Sequence, residues 1–111
     1  EHLRVLDLGK RITFINSKSE DVSWNTSIDM MFIDGWHSYD AVMADFDKFS
    51  SYVVKNGIIA IHDVFLYNDT VGTAAQDLLD TGKLQHLETV DDVFSDDRRI
   101  GMLIGRMGGK I

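Results

Sequence analysis

Two short apolar runs in this 111-residue chain stop abruptly on titratable side chains. Met30-Met31-Phe32-Ile33 runs into Asp34-Gly35-Trp36-His37, and Ile58-Ile59-Ala60-Ile61 runs into His62-Asp63. Carboxylates and imidazoles grouped in this way can do two kinds of chemistry. Two carboxylates, or two carboxylates and an imidazole, offer donors suited to Mg²⁺, Mn²⁺ or a similar divalent cation. An imidazole, whose ordinary pKa of ~6.5 lies near neutrality, can take a proton from a substrate hydroxyl as a general base. Asp34, Asp63 and His62 are therefore candidate metal ligands, and His37, three residues past Asp34, is the candidate base.

Each residue also has a plainer reading. Asp-Gly after a strand is a common turn, Asp34 could cap the helix that follows, and His62 could simply hydrogen-bond at a half-buried strand end. Trp36 is either a wall on which a ligand stacks or part of the rim of the core. His86, in a strand away from these endings, and Trp24, in a polar stretch, fit structural roles better, although Trp24 could border a ligand. The run Asp91, Asp92, Asp96, Asp97 lacks the Gly and Glu of a calcium-binding loop and reads as a solvated loop.

The elements that would position these residues alternate between strand and helix. The run ending at Ile33 is continuous enough for a strand buried on both faces, as in a parallel sheet. Val42, Phe46, Phe49 and Val53 fall at i, i+4, i+7 and i+11, which predicts a helix from Ser38 to Val54 with Ser38 as N-cap and Asp40 in its first turn. At ~1.5 Å per residue it spans roughly 25 Å, enough to return the chain so that the strands on either side lie parallel. Asn56-Gly57 is the expected turn between that helix and the second strand. A further helix is expected from Asp69 or Thr70 to Gly82, and two more strands at Leu84 to Val90 and Ile100 to Ile104. No helix-length stretch separates these last strands, so they should pair antiparallel. Upstream, Glu1 to Leu8 reads as the end of a helix and Arg11 to Asn16 as a strand. The stretch from Ser17 to Asp29 reads as a loop holding one helical turn around Glu20 to Trp24. In an open parallel sheet the ligand crevice lies beyond the carboxyl ends of the strands, where Asp34, His37, His62 and Asp63 would meet.

Composition narrows the classes. With 11 Lys+Arg against 18 Asp+Glu the formal charge is −7, a field that repels phosphate backbones and anionic lipid. The expected partner is accordingly a small molecule, with neither nucleic acid nor a membrane surface. There is no Cys, which excludes a disulfide framework, a thiolate metal site and a Cys nucleophile. No apolar run approaches the ~20 residues of a spanning helix and no basic-then-apolar leader is present, so a soluble, cytoplasmic protein is expected. The length suits one domain, taken as residues 1–107, with Gly108 and Gly109 loosening residues 108–111 into a flexible tail.

From Phe32-Ile33-Asp34-Gly35-Trp36-His37-Ser38-Tyr39-Asp40 through Asn56-Gly57-Ile58-Ile59-Ala60-Ile61-His62-Asp63-Val64, the chain resembles the class I S-adenosylmethionine-dependent methyltransferases. The likeness is to the small-molecule O-methyltransferase branch of macrocin-type sugar methyltransferases and cephalosporin-hydroxylase-like proteins. That branch has a strand ending in Asp-Gly-x-His-Ser-Tyr, a helix with an internal Asp (here Asp45), a Gly turn, and a strand ending in His-Asp or Asp-Asp. The resemblance implies an α/β fold: a partial Rossmann-like methyltransferase sheet with a parallel βαβ core and an antiparallel C-terminal strand pair. It also implies S-adenosylmethionine as cofactor, bordered by Ser19, Glu20 and Trp36. Asp34 and Asp63 match positions that hold a divalent metal in metal-dependent members, and His37 matches the base. His62 stands where a carboxylate ligand is common, so the implied donor set is altered.

The family's Gly-rich loop and the acidic residue after its second strand have no counterpart here. Leu6-Asp7-Leu8-Gly9 is followed by no second Gly of that motif, so the chain, which opens on Glu1, is expected to correspond to the C-terminal portion of such a domain. Two readings follow: a methyltransferase-like domain, inactive alone for lack of that loop, or a non-catalytic acidic binding module that forms a homodimer through a strand edge. A receiver-like domain fits less well, because Lys110 follows a Gly-Gly pair and not a strand.

Overall fold

In the computed structural model, residues 22–34, 37–91, 93, 96 and 98–108 are described. The expected helix end at Glu1 to Leu8 and strand at Arg11 to Asn16 lie outside them. Strand alternation sends successive side chains to opposite faces, and on one face Ile33, Ile59, Ile61, Leu103 and Met107 form a continuous apolar layer. That layer is built by strands β1 (Ile28–Ile33), β2 (Val53–His62) and β4 (Met102–Met107), with β3 (Leu84–Val90) completing a four-stranded sheet in the order β1-β2-β4-β3. Helices α1 (Tyr39–Phe49) and α2 (Thr73–Asp80) cover it with Val42 and Phe46, and with Ala74, Ala75 and Leu78.

The expected architecture holds: β1 and β2 pair in parallel around α1, and β3 pairs antiparallel with β4. The sheet order adds a feature. β4 enters between β2 and β3 and runs antiparallel to both. Ser38 caps α1 as expected, its Oγ accepting from the Ala41 N–H at 3.1 Å. No helix among the described residues is long and apolar enough to cross a membrane.

Several boundaries differ from expectation. The first helix stops at Phe49, and a single 3₁₀ turn, Ser50–Tyr52, leads into β2. Val53 continues the helical apolar spacing but is buried at 1 % exposure as the first residue of the strand. Burial by a neighbouring sheet satisfies the same apolar residue that a helix face would. Asn56-Gly57 lies inside β2 instead of before it. Asn56 has φ 65°, and the pairing jumps from Ile28 with Val53 to Met30 with Ile58, so β2 bulges here. A Cβ at Gly57 would strike the Val53 side chain, which leaves only Gly for this approach.

β1 is not buried on both faces. Its second face carries Met30 at 61 % and Phe32 at 48 % exposure, because both helices lie on the opposite side. Val22 to Trp24 show no helical turn. A wide π-type turn, Asn68–Gly72, precedes α2, and Gly82 at φ 78° ends it, its N–H donating to the Leu79 carbonyl at 3.1 Å. The last strand begins at Met102 and not at Ile100. Gly101, at φ 76°, turns its carbonyl to accept the Asp63 N–H at 2.9 Å and the Val64 N–H at 3.3 Å. At the other end of β4, the Gly108 N–H donates to the Lys83 carbonyl at 3.1 Å.

The two helices are tied by Tyr39, whose hydroxyl donates to Asp77 Oδ2 at 2.6 Å. That hydrogen bond, followed by burial and the charge of Asp77, raises the phenol pKa above its usual value of about 10. Because the folded-state pKa is the raised one, the contribution of this contact is complete below the ordinary phenol pKa and is lost as pH climbs through the raised value. Urea unfolding across an alkaline pH series should therefore show Tyr39→Phe losing less stability on alkalinisation than the parent. Gly101→Ala places a Cβ on the Phe65 ring at a positive φ; a loss of about 2 kcal/mol or more is expected in the same assay.

Candidate active site at the carboxyl edge

Because β1 and β2 are parallel, both end at one edge, and the register that sets Ile33 beside Ile61 carries Asp34 toward His62. The chain then treats the two endings differently. After β1 it turns through His37 into the Ser38 cap. After β2 it makes a sharp corner at Asp63, which adopts φ 67°. Asp tolerates this left-handed conformation better than most residues, and hydrogen bonds on both sides hold it there. The Asp63 N–H donates to Gly101, and the Asp63 carbonyl accepts from Tyr67 N–H at 3.0 Å. The corner leaves Asp63 buried at 7 % exposure, the only buried charged residue among those described.

Four side chains expected to meet are brought together. His37 Nε2 lies 3.0 Å from Asp63 Oδ2. His62 Nδ1 lies 3.3 Å from Asp34 Oδ1 and 3.2 Å from Asp63 Oδ1. Donor atoms of Asp34, His37 and Asp63 all fall within 4.8 Å of one another. His37 Nε2 lies close enough to donate to Asp63 Oδ2 in the tautomer that carries its hydrogen on Nε2, whose basic nitrogen is Nδ1. His62 Nδ1 is buried and makes no hydrogen bond although two carboxylate oxygens lie near it. Two carboxylates and an imidazole are the kind of donor set that could hold a divalent cation, and among the described residues the imidazole of that close group is His37, with His62 left out of it.

Two residues that the sequence reading passed over complete the group. The Tyr67 ring stacks on His37 with centroids 3.9 Å apart and planes 9° from parallel. Thr70 Oγ1 donates to the His37 carbonyl at 2.9 Å. Their signal was position: they come a few residues after Asp63, in the segment that must cross the same edge. Phe32 approaches His62 from the open face of the sheet, centroids 6.0 Å apart.

Ser19, Glu20 and Trp36 lie outside the described residues. Trp24 makes a local contact, its Nε1 donating to the Thr26 carbonyl at 2.6 Å, and His86 in β3 pairs with Thr89 Oγ1 at 2.8 Å. An open hollow lined by Phe65, Leu66, Asn68, Arg98 and Arg99 lies near this turn. It includes none of the four site residues, and its cations are engaged: Arg99 is bidentate to Asp91 at 3.1 Å, and Arg98 Nε lies 2.8 Å from Asp96. The hollow is therefore the weaker candidate for chemistry.

A mixed sheet with titratable groups at the carboxyl ends of its parallel strands is the architecture of a methyltransferase-like fold. A family model described as a methyltransferase domain matches residues 1–64, more than half of the chain, so the chain belongs to that family. Among solved structures, the chain is similar to the N-methyltransferase NodS from Bradyrhizobium japonicum WM9, with a TM-score of 0.58 at 14 % identity over 84 % of this chain. At that identity the likeness speaks to fold, and the chain spans 58 % of that structure's length.

The backbone at Asp63 yields a direct expectation. Asp63→Asn keeps a residue at home in the left-handed region and an oxygen that accepts from His37, so its unfolding midpoint should stay close to that of the parent. Asp63→Val should cost about 1–3 kcal/mol more than Asp63→Asn in chemical denaturation, because a β-branched residue resists this φ.

Proposed function

We propose that this chain is part of a metal-assisted, S-adenosylmethionine-dependent methyltransferase acting on a small-molecule hydroxyl, of the macrocin O-methyltransferase and cephalosporin-hydroxylase-like branch. The observation that carries the reading is the 3.0 Å contact of His37 Nε2 with Asp63 Oδ2 at the edge where Asp34 also arrives. Asp63 fixes the imidazole tautomer. His37 Nδ1 then takes the proton from the acceptor hydroxyl, and Asp63 stabilises the imidazolium that results. The acceptor oxygen becomes a nucleophile where the methyl group is delivered.

Asp34 and Asp63, with His62 beside both, would hold the divalent cation, which would supply Lewis-acid charge to the acceptor oxygen. S-adenosylmethionine would supply an electrophilic methyl on a sulfonium, and the exposed Asp34 carboxylate suits a cationic donor. Contacts to the rest of the cofactor are assigned to Ser19, Glu20 and Trp36. The net charge of −7 favours a small acceptor over a phosphate-bearing polymer.

Calorimetry and turnover with methyl-labelled donor, measured on the whole methyltransferase domain of which this chain is proposed to be part, test this together. His37→Ala should still bind S-adenosylmethionine while losing turnover by about 10²- to 10⁴-fold; undiminished turnover removes the base role. Asp34→Asn and Asp63→Asn should each weaken Mn²⁺ binding to the otherwise intact chain. Affinity unchanged in both would end the metal part of the proposal.

A further inference from the structure

We infer that Tyr67, assisted by Thr70, is a positioning residue that holds the His37 imidazole in its reacting orientation, a role that rests on the reading of His37 as the base. The His37 side chain is 41 % exposed, and a ring at such a position rotates broadly about its last torsion unless something holds it. Here two contacts hold the ring and a third holds its backbone, and all come from the segment that follows β2. Asp63 engages the Nε2 edge at 3.0 Å, Tyr67 covers a ring face at 3.9 Å and 9°, and Thr70 fixes the backbone carbonyl at 2.9 Å.

An edge contact alone leaves the ring free to swing about the Nε2 to carboxylate axis. A stacked face removes that freedom, because swinging the ring out of the plane breaks the stack. Tyr67 can serve as a fixed platform because its own backbone is tied three times. Its N–H donates to the Asp63 carbonyl at 3.0 Å, and its carbonyl accepts from Thr70 N–H at 3.1 Å and from Gly72 N–H at 3.0 Å. The wide π-type turn Asn68–Gly72 thereby acquires a purpose, since it presents Tyr67 and the Thr70 hydroxyl to the same residue.

The stack, and not the phenol hydroxyl, should carry the effect. Tyr67→Phe should therefore keep it and Tyr67→Ala should lose it. Tyr67 is 37 % exposed and outside the core cluster, so both variants are expected to fold, and Thr70→Val offers a second route that leaves the aromatic ring in place. The first measurement is the carbon–proton spectrum of the histidine rings in the full chain, with neither donor nor cation present. His37 ring resonances should lie upfield of those of the exposed His86 in the parent and in Tyr67→Phe, and move back toward them in Tyr67→Ala. The second is turnover, where Tyr67→Ala should lose about tenfold to a hundredfold in kcat with little change in donor KM, and Tyr67→Phe should stay near the parent. Thr70→Val should fall between them.

Unshifted His37 resonances in Tyr67→Ala overturn the inference, as does a Tyr67→Ala variant that retains parental turnover. A Tyr67→Phe variant as impaired as Tyr67→Ala would assign the effect to the hydroxyl and also overturn it. His37→Ala with undiminished turnover would instead defeat the base reading, while the ring spectra would still report whether Tyr67 orients His37.

Discussion

The corner at Asp63 is the constraint on which the site and the far side of the sheet both depend. At φ 67° the residue turns the chain out of β2, and its N–H is satisfied by the carbonyl of Gly101, itself at φ 76°. A buried N–H without a partner would cost about as much as a lost hydrogen bond, so the corner and the entry to β4 must form together. The same corner buries a carboxylate at the carboxyl edge and directs Tyr67 and Thr70 back over His37. One backbone conformation thus couples the antiparallel insertion of β4 to the geometry of a candidate base. Strain of this kind persists when its surroundings over-determine it, and here the hydrogen bonds to Gly101 and from Tyr67 do so.

Packing explains why the edge can be polar without the fold loosening. The main core cluster lies on one side of the sheet, where Ile59, Ile61 and Leu103 meet Val42, Phe46, Ala75 and Leu78, while Ala60 is buried on the other face. Site residues stand at or just beyond the ends of the strands and not within this layer. Substitution at Asp34 or His37 therefore changes chemistry at a rim, whereas changes at Ile61 would open a cavity in the centre. The other face of the sheet, with Met30 and Phe32 exposed, is uncovered among the described residues, and it reaches His62 through the Phe32 ring.

The four titratable residues are close neighbours. Two carboxylates placed this close repel unless a proton, an imidazolium or a cation lies between them, and both imidazoles are arranged against them. Asp63 Oδ2 faces His37 Nε2, and one oxygen each of Asp34 and Asp63 approaches His62 Nδ1. Membership in a methyltransferase-domain family gives this edge a chemical context.

Local sequence determined much of this protein. The apolar runs that end at Asp34 and His62, the Ser38 cap and the Val42, Phe46 stripe specify a parallel pair around a helix, and that pairing alone brings Asp34, His37, His62 and Asp63 to one edge. These features were legible because each is decided within a few residues by periodicity or capping. Val53 was not, since an apolar residue at helical spacing is equally satisfied by a strand in the core, and only the competition between α1 and β2 for it assigns the boundary. The exposed face of β1 was not either, because a continuous apolar run does not reveal whether a second layer covers it. The place of β4, the left-handed corner at Asp63 and the stacking of Tyr67 on His37 were decided by tertiary structure alone. Each depends on contacts between residues far apart in sequence: Asp63 with Gly101, and His37 with Tyr67 and Thr70.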